Sequence, residues 1–337
     1  MKRRLILWLL LLVVTINTDA VRIGKFECTL NESTRTATIT GATIDVAELA
    51  GVLTIPEYVI HEEKTYMVTE IEENAFNGSK FDPAIKWINF PPNIEVVGAG
   101  AFKNNKELWS MSWPGDATKK IGAYAFAGCT KLQNFELPPL LEKLGRNALE
   151  DCTSLTIISF GANLEEVPMQ VCKGCTGILE TVIYPGLFES IKKIQDGAFE
   201  GCTSLNLVIL CADLDYFGSS VFKGCTSLTN FSSQTSAPCS YVEDWSPFEK
   251  YHYQKVNLEV PKGTVQLYRN TPEWRKFLSI AEKEDEEEET AISATSAIGA
   301  TRTLKQYSIE GKSLPRPQQG LNIQKMSDGT TSKVLKD

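Results

Sequence analysis

The sequence predicts a β-rich solenoid, in which about seven repeat units of about 23 residues stack side by side. Three observations support this prediction. A unit of the form Ala-Phe-x-Gly-Cys-Thr-x-Leu recurs, apolar residues stand at fixed distances before and after its Phe, and a short segment of alternating apolar residues follows its Leu. Because one unit cannot bury its apolar side chains alone, we expect the stacked units to share one continuous core.

The Phe position defines the repeat, and seven units share it at spacings of 23 to 27 residues. Its occupants are Phe76, Phe102, Phe126, Leu149, Cys172, Phe199 and Phe222. An apolar residue also stands five positions before it in every unit. Apolar residues three and five positions after the Leu, such as Phe135 and Leu137 in the third unit, predict a half-buried strand after each Leu.

Residues 1–20 have the pattern of a secretory signal peptide. A basic start at residues 2–4 precedes an apolar run at residues 5–14, and small residues stand near Ala20. The run is ten residues long, whereas a spanning helix needs about 20, so we expect no integral membrane span. An uncleaved anchor is the alternative. Cleavage near Ala20 predicts a mature protein outside the cytosol.

Composition divides the rest of the chain into five parts. We expect an N-terminal β cap at 21–64, the repeats at 65–237, a C-terminal cap at 238–281, an acidic and Ala/Ser/Thr linker at 282–301, and a separate tail at 302–337. The linker begins with a charge run that cannot bury apolar surface. In the tail, turns at Gly311, Gly320 and Gly329 predict three short strands.

Charge and motif content exclude several function classes. The formal net charge of −8 disfavours binding to nucleic acid phosphates. The chain has two histidines, His61 and His252, which excludes a multi-histidine metal site, and it has no P-loop, metalloprotease or serine-hydrolase motif. We therefore predict a protein that is not an enzyme and that uses no cofactor and no metal. The alternative is a secreted enzyme acting on glycan or peptide, because scattered carboxylates never exclude a glycosidase.

Five of the nine cysteines occupy one position of the repeat, three residues after the Phe position. They are Cys129, Cys152, Cys175, Cys202 and Cys225. We expect buried thiols that fill a narrow turn, since small and soft side chains pack well there. Disulfides between neighbouring units, and redox or zinc chemistry at the Cys172-Lys-Gly-Cys175 sequence, are the alternatives.

The short strand followed by Pro, together with Ala-Phe-x-Gly-Cys-Thr-x-Leu at a spacing near 23, resembles the BspA-like leucine-rich repeats of bacterial surface proteins. The resemblance covers roughly residues 26–277 and departs from the pattern at Asn104-Asn105, Leu149-Glu150-Asp151 and Cys172. It implies a secreted or cell-surface leucine-rich-repeat protein that binds protein or glycan in adhesion, to a host or to other bacteria. An inert surface-layer component is a further alternative.

The tail resembles the C-terminal sorting tails of Bacteroidetes, which the type IX secretion system recognises. This resemblance covers about thirty residues of the tail. It implies export to the cell surface and attachment to the outer membrane through residues 302–337. A small β module with no sorting role is the alternative.

The outward side of the strands is the candidate ligand face. Residues two and four positions after each Leu should point away from the core, because neighbours on a strand lie on opposite faces. In the N-terminal half these positions are polar and lie near two tryptophans, which can stack on a sugar or anchor a peptide. The candidate ligand-binding residues are Trp87, Asn89, Trp109, Ser110, Ser112, Asn134 and Glu136. The expected partner is an extracellular protein or a glycan, and the expected state is a monomer.

Two other interpretations of this face remain. Trp87 could serve only to shield the edge of the N-terminal cap. In the C-terminal half the outward positions are apolar at Val182, Leu207 and Ile209, which predicts a protein-contact patch or a surface covered by the loop at residues 184–190.

Overall fold

The computed structural model describes residues 20–43, 51–78, 85–113, 115, 117–160, 163–183, 191–211, 213–235, 237–239 and 246–283, together with four strands between residues 303 and 336. The chain divides into two compact units, Met1–Glu282 and Lys283–Asp337. Residues 1–19 of the predicted signal peptide, most of the linker at 282–301 and the loop at 184–190 lie outside the described residues. Of the described helices, none is long and apolar enough to cross a membrane.

The first unit begins with a β cap that covers the end of the repeat core. Its strands are β1 (Val21–Ile23), β2 (Phe26–Asn31), β3 (Thr36–Ala42), β4 (Val52–Thr54), β5 (Tyr58–His61) and β6 (Lys64–Ile71). Strands β1, β2 and β3 pair antiparallel, and β3 then pairs parallel with β6. Alternate residues of β2 are buried, and Phe26 packs edge-on against the ring of Phe76 at 6.5 Å. The cap thus continues the core of the repeats.

Six of the seven repeats contribute a longer strand after the Leu position, and six contribute a two-residue strand at the apolar position five residues before the Phe position. In chain order these strands are β7 (Trp87–Asn89), β8 (Val96–Val97), β9 (Ser110–Ser112), β10 (Lys120–Ile121), β11 (Lys143–Leu144), β12 (Ile157–Phe160), β13 (Glu166–Val167), β14 (Glu180–Ile183), β15 (Lys193–Ile194), β16 (Leu207–Leu210), β17 (Tyr216–Phe217) and β18 (Asn230–Ser233). The longer strands pair parallel and form the strand ladder, and the two-residue strands form the short ladder. The prediction of a β-rich leucine-rich-repeat solenoid is confirmed.

The C-terminal part of this unit adds an eighth turn to the seven that the repeat predicts. It consists of α1 (Lys250–Lys255), β19 (Asn257–Val260), α2 (Val265–Asn270), a 3-10 helix (Trp274–Lys276) and β20 (Ser279–Glu282). Phe248 stacks on Phe222 with ring centroids 5.3 Å apart, and the Phe222 N–H donates to the Pro247 carbonyl. Strands β19 and β20 extend the strand ladder beyond β18. The segment predicted as a cap therefore contains a further repeat whose tight turn is replaced by α1.

A third connection between the repeats, the turn ladder, runs through the Ala-Phe turns. The N–H at each Phe position donates to the carbonyl of the residue before the next Phe position, at 2.8 to 3.0 Å in all seven cases. In every turn, the residue two positions before the Phe position has a positive φ. From the second turn onward, beginning with Asn104, the residue two positions after the Phe position has a positive φ as well. Asn and Asp tolerate this left-handed conformation, which explains why Asn104 and Asp151 can replace the repeated Gly.

The aromatic rings form two separate stacks. Phe76, Phe102 and Phe126 lie nearly parallel at 5.4 Å and form the N-terminal stack. Phe199, Phe222 and Phe248, at 5.9 and 5.3 Å, form the C-terminal stack. Leu149 and Cys172 occupy the two positions between the stacks, and both are fully buried.

Both β ladders are interrupted between the two stacks. Strand β9 ends a three-stranded sheet, and β12 begins a six-stranded one. Residues 133–137, where a strand was predicted, are not in a strand. In the short ladder, β11 and β13 belong to different sheets. The turn ladder continues across this place, since the Leu149 N–H donates to the Val171 carbonyl at 2.9 Å. We call residues 133–145 and 156–168 the open junction.

Pro168 explains the interruption. In the other units, the residue after the short strand donates its N–H to the preceding coil, as Gly145 donates to the Ile121 carbonyl at 2.8 Å. Proline has no N–H to donate. Pro168 therefore removes the hydrogen bond that the Leu144 carbonyl would otherwise accept at this position.

The second unit is a small antiparallel sheet. It contains β21 (Thr303–Ser308), β22 (Ser313–Leu314), β23 (Gly320–Met326) and β24 (Thr331–Lys336), in the order β22-β21-β23-β24. The sequence predicted three strands in this tail, and the structure has four.

Candidate ligand-binding face

The three-stranded sheet β4-β7-β9 carries most of the predicted ligand-binding residues. Its register places Val52, Trp87 and Ser110 in one outward row and Thr54, Asn89 and Ser112 in the next. Between these rows the side chains of Leu53 and Ile88 are fully buried, which directs the two rows away from the core. We call the outward side of this sheet, together with Trp109, the aromatic face.

Two indoles lie side by side on the aromatic face. The ring centroids of Trp87 and Trp109 are 4.9 Å apart and the rings are tilted by 58°. Trp109 precedes β9, and its N–H donates to the Lys86 carbonyl at 3.0 Å, which fixes the backbone at this residue. Trp87 is half-buried, and Trp109 keeps 45% of its surface exposed. The pair thus presents a rigid aromatic surface to solvent.

A hydrogen-bond network holds the polar row beside the indoles. The Trp87 Nε1–H donates to Asn89 Oδ1 at 2.7 Å, and the Ser112 hydroxyl donates to the same oxygen at 3.3 Å. The Asn89 amide donates in turn to the Thr54 hydroxyl at 3.3 Å. The network orients Trp87 and leaves part of each polar group accessible, because Thr54 is exposed and Asn89 and Ser112 are half-buried.

The structure brings together some of the predicted residues and separates others. Trp87, Asn89, Trp109 and Ser112 lie on the aromatic face, and Ser110 lies within it but is 7% exposed. The expectation that Ser110 is accessible was wrong. We attribute its burial to the two indoles that flank it, since it is next to Trp87 in the register and follows Trp109 in the chain.

Asn134 and Glu136 are exposed, as expected for an outward position, but they do not lie on a strand. Their segment ends at two prolines, which have no N–H for a ladder, and the coil that should pair with it stands across the open junction. The aromatic face therefore ends at β9. Thr54, in contrast, belongs to this face and was missed, because the sequence assigned its strand to the cap.

The cysteines of the repeat form a hydrogen-bonded ladder. Each thiol donates to the carbonyl at the Phe position of the preceding coil, at 2.9 to 3.3 Å in all five. Asn105 makes the equivalent bond to the Phe76 carbonyl at 2.7 Å. Burial raises the pKa of Cys129 and Cys225 to about 12. These five cysteines are free thiols, and a buried thiol with a raised pKa is a poor nucleophile.

The described residues offer little support for a metal site or for catalysis by histidine. They contain no group of three or more His, Cys, Asp and Glu side chains that could hold a metal ion. His252 is fully buried in the eighth turn, where Nδ1 accepts from the Glu249 N–H and Nε2 lies 3.0 Å from the Cys225 carbonyl. A groove of about 750 Å³ lies at the open junction, lined by Lys120, Lys143 and several acidic residues.

Comparison with known families decides the classification. The description "BspA type Leucine rich repeat region" matches in six copies over residues 60–179 and 179–259, which is more than half of the chain. The chain belongs to this family. No curated protein matches it significantly.

Solved structures agree in fold with this BspA-type leucine-rich-repeat protein. A leucine rich cell surface protein from Faecalibacterium prausnitzii is 20% identical with a TM-score of 0.58, over 78% of this chain and 72% of that one. The T. pallidum leucine-rich-repeat protein is 20% identical with a TM-score of 0.51, over 62% of this chain and 91% of that one. A Bacteroides ovatus leucine-rich-repeat protein is 18% identical with a TM-score of 0.47, over 78% and 67%. At these identities the likeness concerns the fold alone.

Proposed function

We propose that this protein is an extracellular recognition protein that binds a protein or glycan ligand through the aromatic face, in an adhesion role. The observation that carries the proposal is the Trp87–Trp109 pair, exposed beside the hydrogen-bonded side chains of Asn89, Thr54 and Ser112. Aromatic anchors next to a few oriented polar groups are typical of binding sites. Repeat arrays of this kind present such groups on a continuous surface.

A location outside the cytosol is part of the proposal. It is supported by the pattern of residues 1–20 and by membership of the BspA-type family, and a Faecalibacterium prausnitzii protein of similar fold is described as a cell surface protein. Residues 302–337 act as the sorting tail. Their antiparallel sheet forms a compact unit of its own with residues 283–301, as a signal that is separate from the binding module requires.

The binding proposal is tested with the purified full chain on immobilised extracellular matrix proteins and on a glycan array. We expect saturable binding to at least one ligand and at least a tenfold loss for Trp109→Ala, because this change removes the exposed anchor. Leu278→Ala is the matched control, since Leu278 is 79% exposed and is not on the aromatic face. Equal losses for the two variants, or binding to neither panel, contradict the proposal.

The tail proposal requires a cellular experiment. Removal of residues 302–337 should retain the protein in the periplasm while the melting temperature of the repeat unit stays the same. Surface labelling of whole cells measures the first result, and calorimetry of the purified chains measures the second. Normal surface display of the truncated chain contradicts a sorting role.

A further inference from the structure

We infer that the ligand of the aromatic face is a neutral saccharide, which deepens the proposed function and depends on it. The inference rests on three properties of the face: the exposed indole, the donors and acceptors of the polar row, and the absence of charged side chains from its three strands. A sugar matches all three properties.

The exposed indole offers a surface for the C–H face of a pyranose ring. The face of an aromatic ring is electron-rich, and the C–H groups on one side of a sugar ring carry partial positive charge. Trp109 supplies this surface, and Trp87 stands beside it at 58° with its Nε1–H already bonded to Asn89. Because these rings are held before a ligand arrives, stacking costs little side-chain entropy.

The polar row offers donors and acceptors of the kind that hydroxyl groups need. Asn89 uses one of its two amide N–H bonds on Thr54, and the other can donate. Thr54 accepts that bond, so its own hydroxyl proton can donate, whereas Ser112 donates to Asn89 and keeps its lone pairs to accept. Neighbouring strands lie about 4.8 Å apart, a spacing close to the width of one pyranose ring.

Charge on the aromatic face favours a neutral ligand over an acidic one. The three strands read Val-Leu-Thr, Trp-Ile-Asn and Ser-Met-Ser, without one ionisable side chain. Sialylated, sulfated or phosphorylated ligands would lose hydration on these three strands without gaining an opposite charge from them. The chain as a whole carries a formal net charge of −8, which also disfavours anions.

Val52 on the aromatic face is 40% exposed, but the most exposed apolar side chains of the strand ladder lie elsewhere. Ile157 and Leu179 are 54% and 50% exposed beyond the open junction. The aromatic face, by contrast, combines indoles with hydroxyl and amide groups. The observations therefore favour a saccharide on the aromatic face over a protein surface.

The test is an array of neutral hexose and N-acetylhexosamine oligosaccharides, with sialylated and sulfated oligosaccharides as comparators, probed with the full chain. We expect at least one neutral oligosaccharide to bind, with at least a tenfold weaker dissociation constant for Trp109→Ala and a partial return for Trp109→Phe. Thr54→Val removes one exposed hydroxyl and should weaken binding several-fold. Ile157→Ala, an exposed apolar residue beyond the open junction, is the matched control and should bind like the unaltered chain.

Two results would overturn the inference. One is that folded protein binds no neutral oligosaccharide or binds only the anionic ones. The other is that Trp109→Ala binds the neutral oligosaccharide as tightly as the unaltered chain. If a matrix protein still binds and loses affinity on Trp109→Ala, the saccharide inference fails while the proposed recognition function stands.

Discussion

The N-terminal and C-terminal stacks are built from the same turn but are joined to their neighbours in different ways. The C-terminal stack lies beside a six-stranded sheet, and opposite charges alternate along its turns, with Glu200 contacting both Lys173 and Lys223. The N-terminal stack lies beside the three-stranded aromatic face, and its corresponding turn positions are Asn77, Lys103 and Ala127. The turn ladder is common to both.

The difference shows which interactions the array requires. The bond from each Phe-position N–H crosses every boundary, including the open junction, where both β ladders stop. Stacked turns with a buried side chain therefore suffice to place one coil on the next. The short ladder adds to this arrangement wherever the residue after the short strand has an N–H to donate.

The largest expected effect is the loss of a ring from either stack. Phe126 is fully buried between the rings of Phe102 and Phe135, so Phe126→Ala should lower the free energy of unfolding by about 3–5 kcal/mol. Phe199→Ala should cost the same if the two stacks are equivalent. Urea denaturation measures both changes. A wild-type midpoint for either variant would show that its ring is not part of the core.

The thiol ladder predicts a loss of stability in alkali that the two stacks share. An unfolded thiol ionises near pH 9, whereas the pKa of Cys129 and of Cys225 is about 12 in the fold. The folded chain thus holds more protons above pH 9, and stability falls by about 1.4 kcal/mol per pH unit for each such thiol until pH 12.

The measurement is the free energy of unfolding between pH 8 and 10 for the unaltered chain, Cys129→Ser and Cys225→Ser. Serine keeps a hydrogen-bond donor and does not ionise in this range, so the free energy of unfolding of each variant should fall less steeply with pH. The reduction should be equal in the two stacks. If both variants lose stability with pH as steeply as the unaltered chain, these thiols are not the cause of the alkaline loss.

Pro168→Gly should make the open junction resemble the other junctions. The change restores an N–H opposite the Leu144 carbonyl, and the hydrogen bond it can donate is worth about 0.5–1.5 kcal/mol. Part of this gain is offset by the greater freedom of glycine in the unfolded chain. We expect a small net rise in the urea midpoint and a protected amide N–H at position 168.

Pro139→Gly serves as the control, because Pro139 is exposed and its loss affects only the freedom of the unfolded chain. The converse change, Gly122→Pro, should open a junction inside the N-terminal stack, because it removes the N–H that donates to the Val97 carbonyl and its Cβ would lie 2.5 Å from the Ala99 nitrogen. If Pro168→Gly destabilises as much as Pro139→Gly, the account of the open junction is wrong.

The smallest expected effect distinguishes the two ends of the thiol ladder. Asn105 closes one end and does not titrate, whereas His252 closes the other, and burial lowers its pKa. Unfolded histidine binds a proton below about pH 6.5, so the C-terminal end loses stability as the pH falls through that value, by about 1 kcal/mol per unit. His252→Gln should reduce this acid dependence, which the free energy of unfolding between about pH 5 and 8 measures. An acid dependence that stays the same in this variant would contradict the assignment.

Much of the fold follows from positions that repeat in the sequence, and the rest depends on contacts between coils. The Phe and Cys positions predicted one core. The short ladder was missed because two residues are too few to show an alternating pattern. The eighth turn was missed because α1 places His252 four residues after Phe248. In the other turns the Cys position lies three residues after the Phe position. The burial of Ser110 depends on indoles from two coils, and no local pattern records it.

Two coils joined by one of the three backbone ladders are held together by that ladder and by the core of buried side chains that they share. At the open junction the turn ladder is continuous while both β ladders stop, so the turns at Leu149 and Val171 form an axis. Rotation about this axis changes the angle between the aromatic face and the exposed apolar strands beyond it. The same rotation widens or narrows the groove between Leu144 and Glu166. The turn ladder and the shared core at the open junction thus set the angle between these two surfaces.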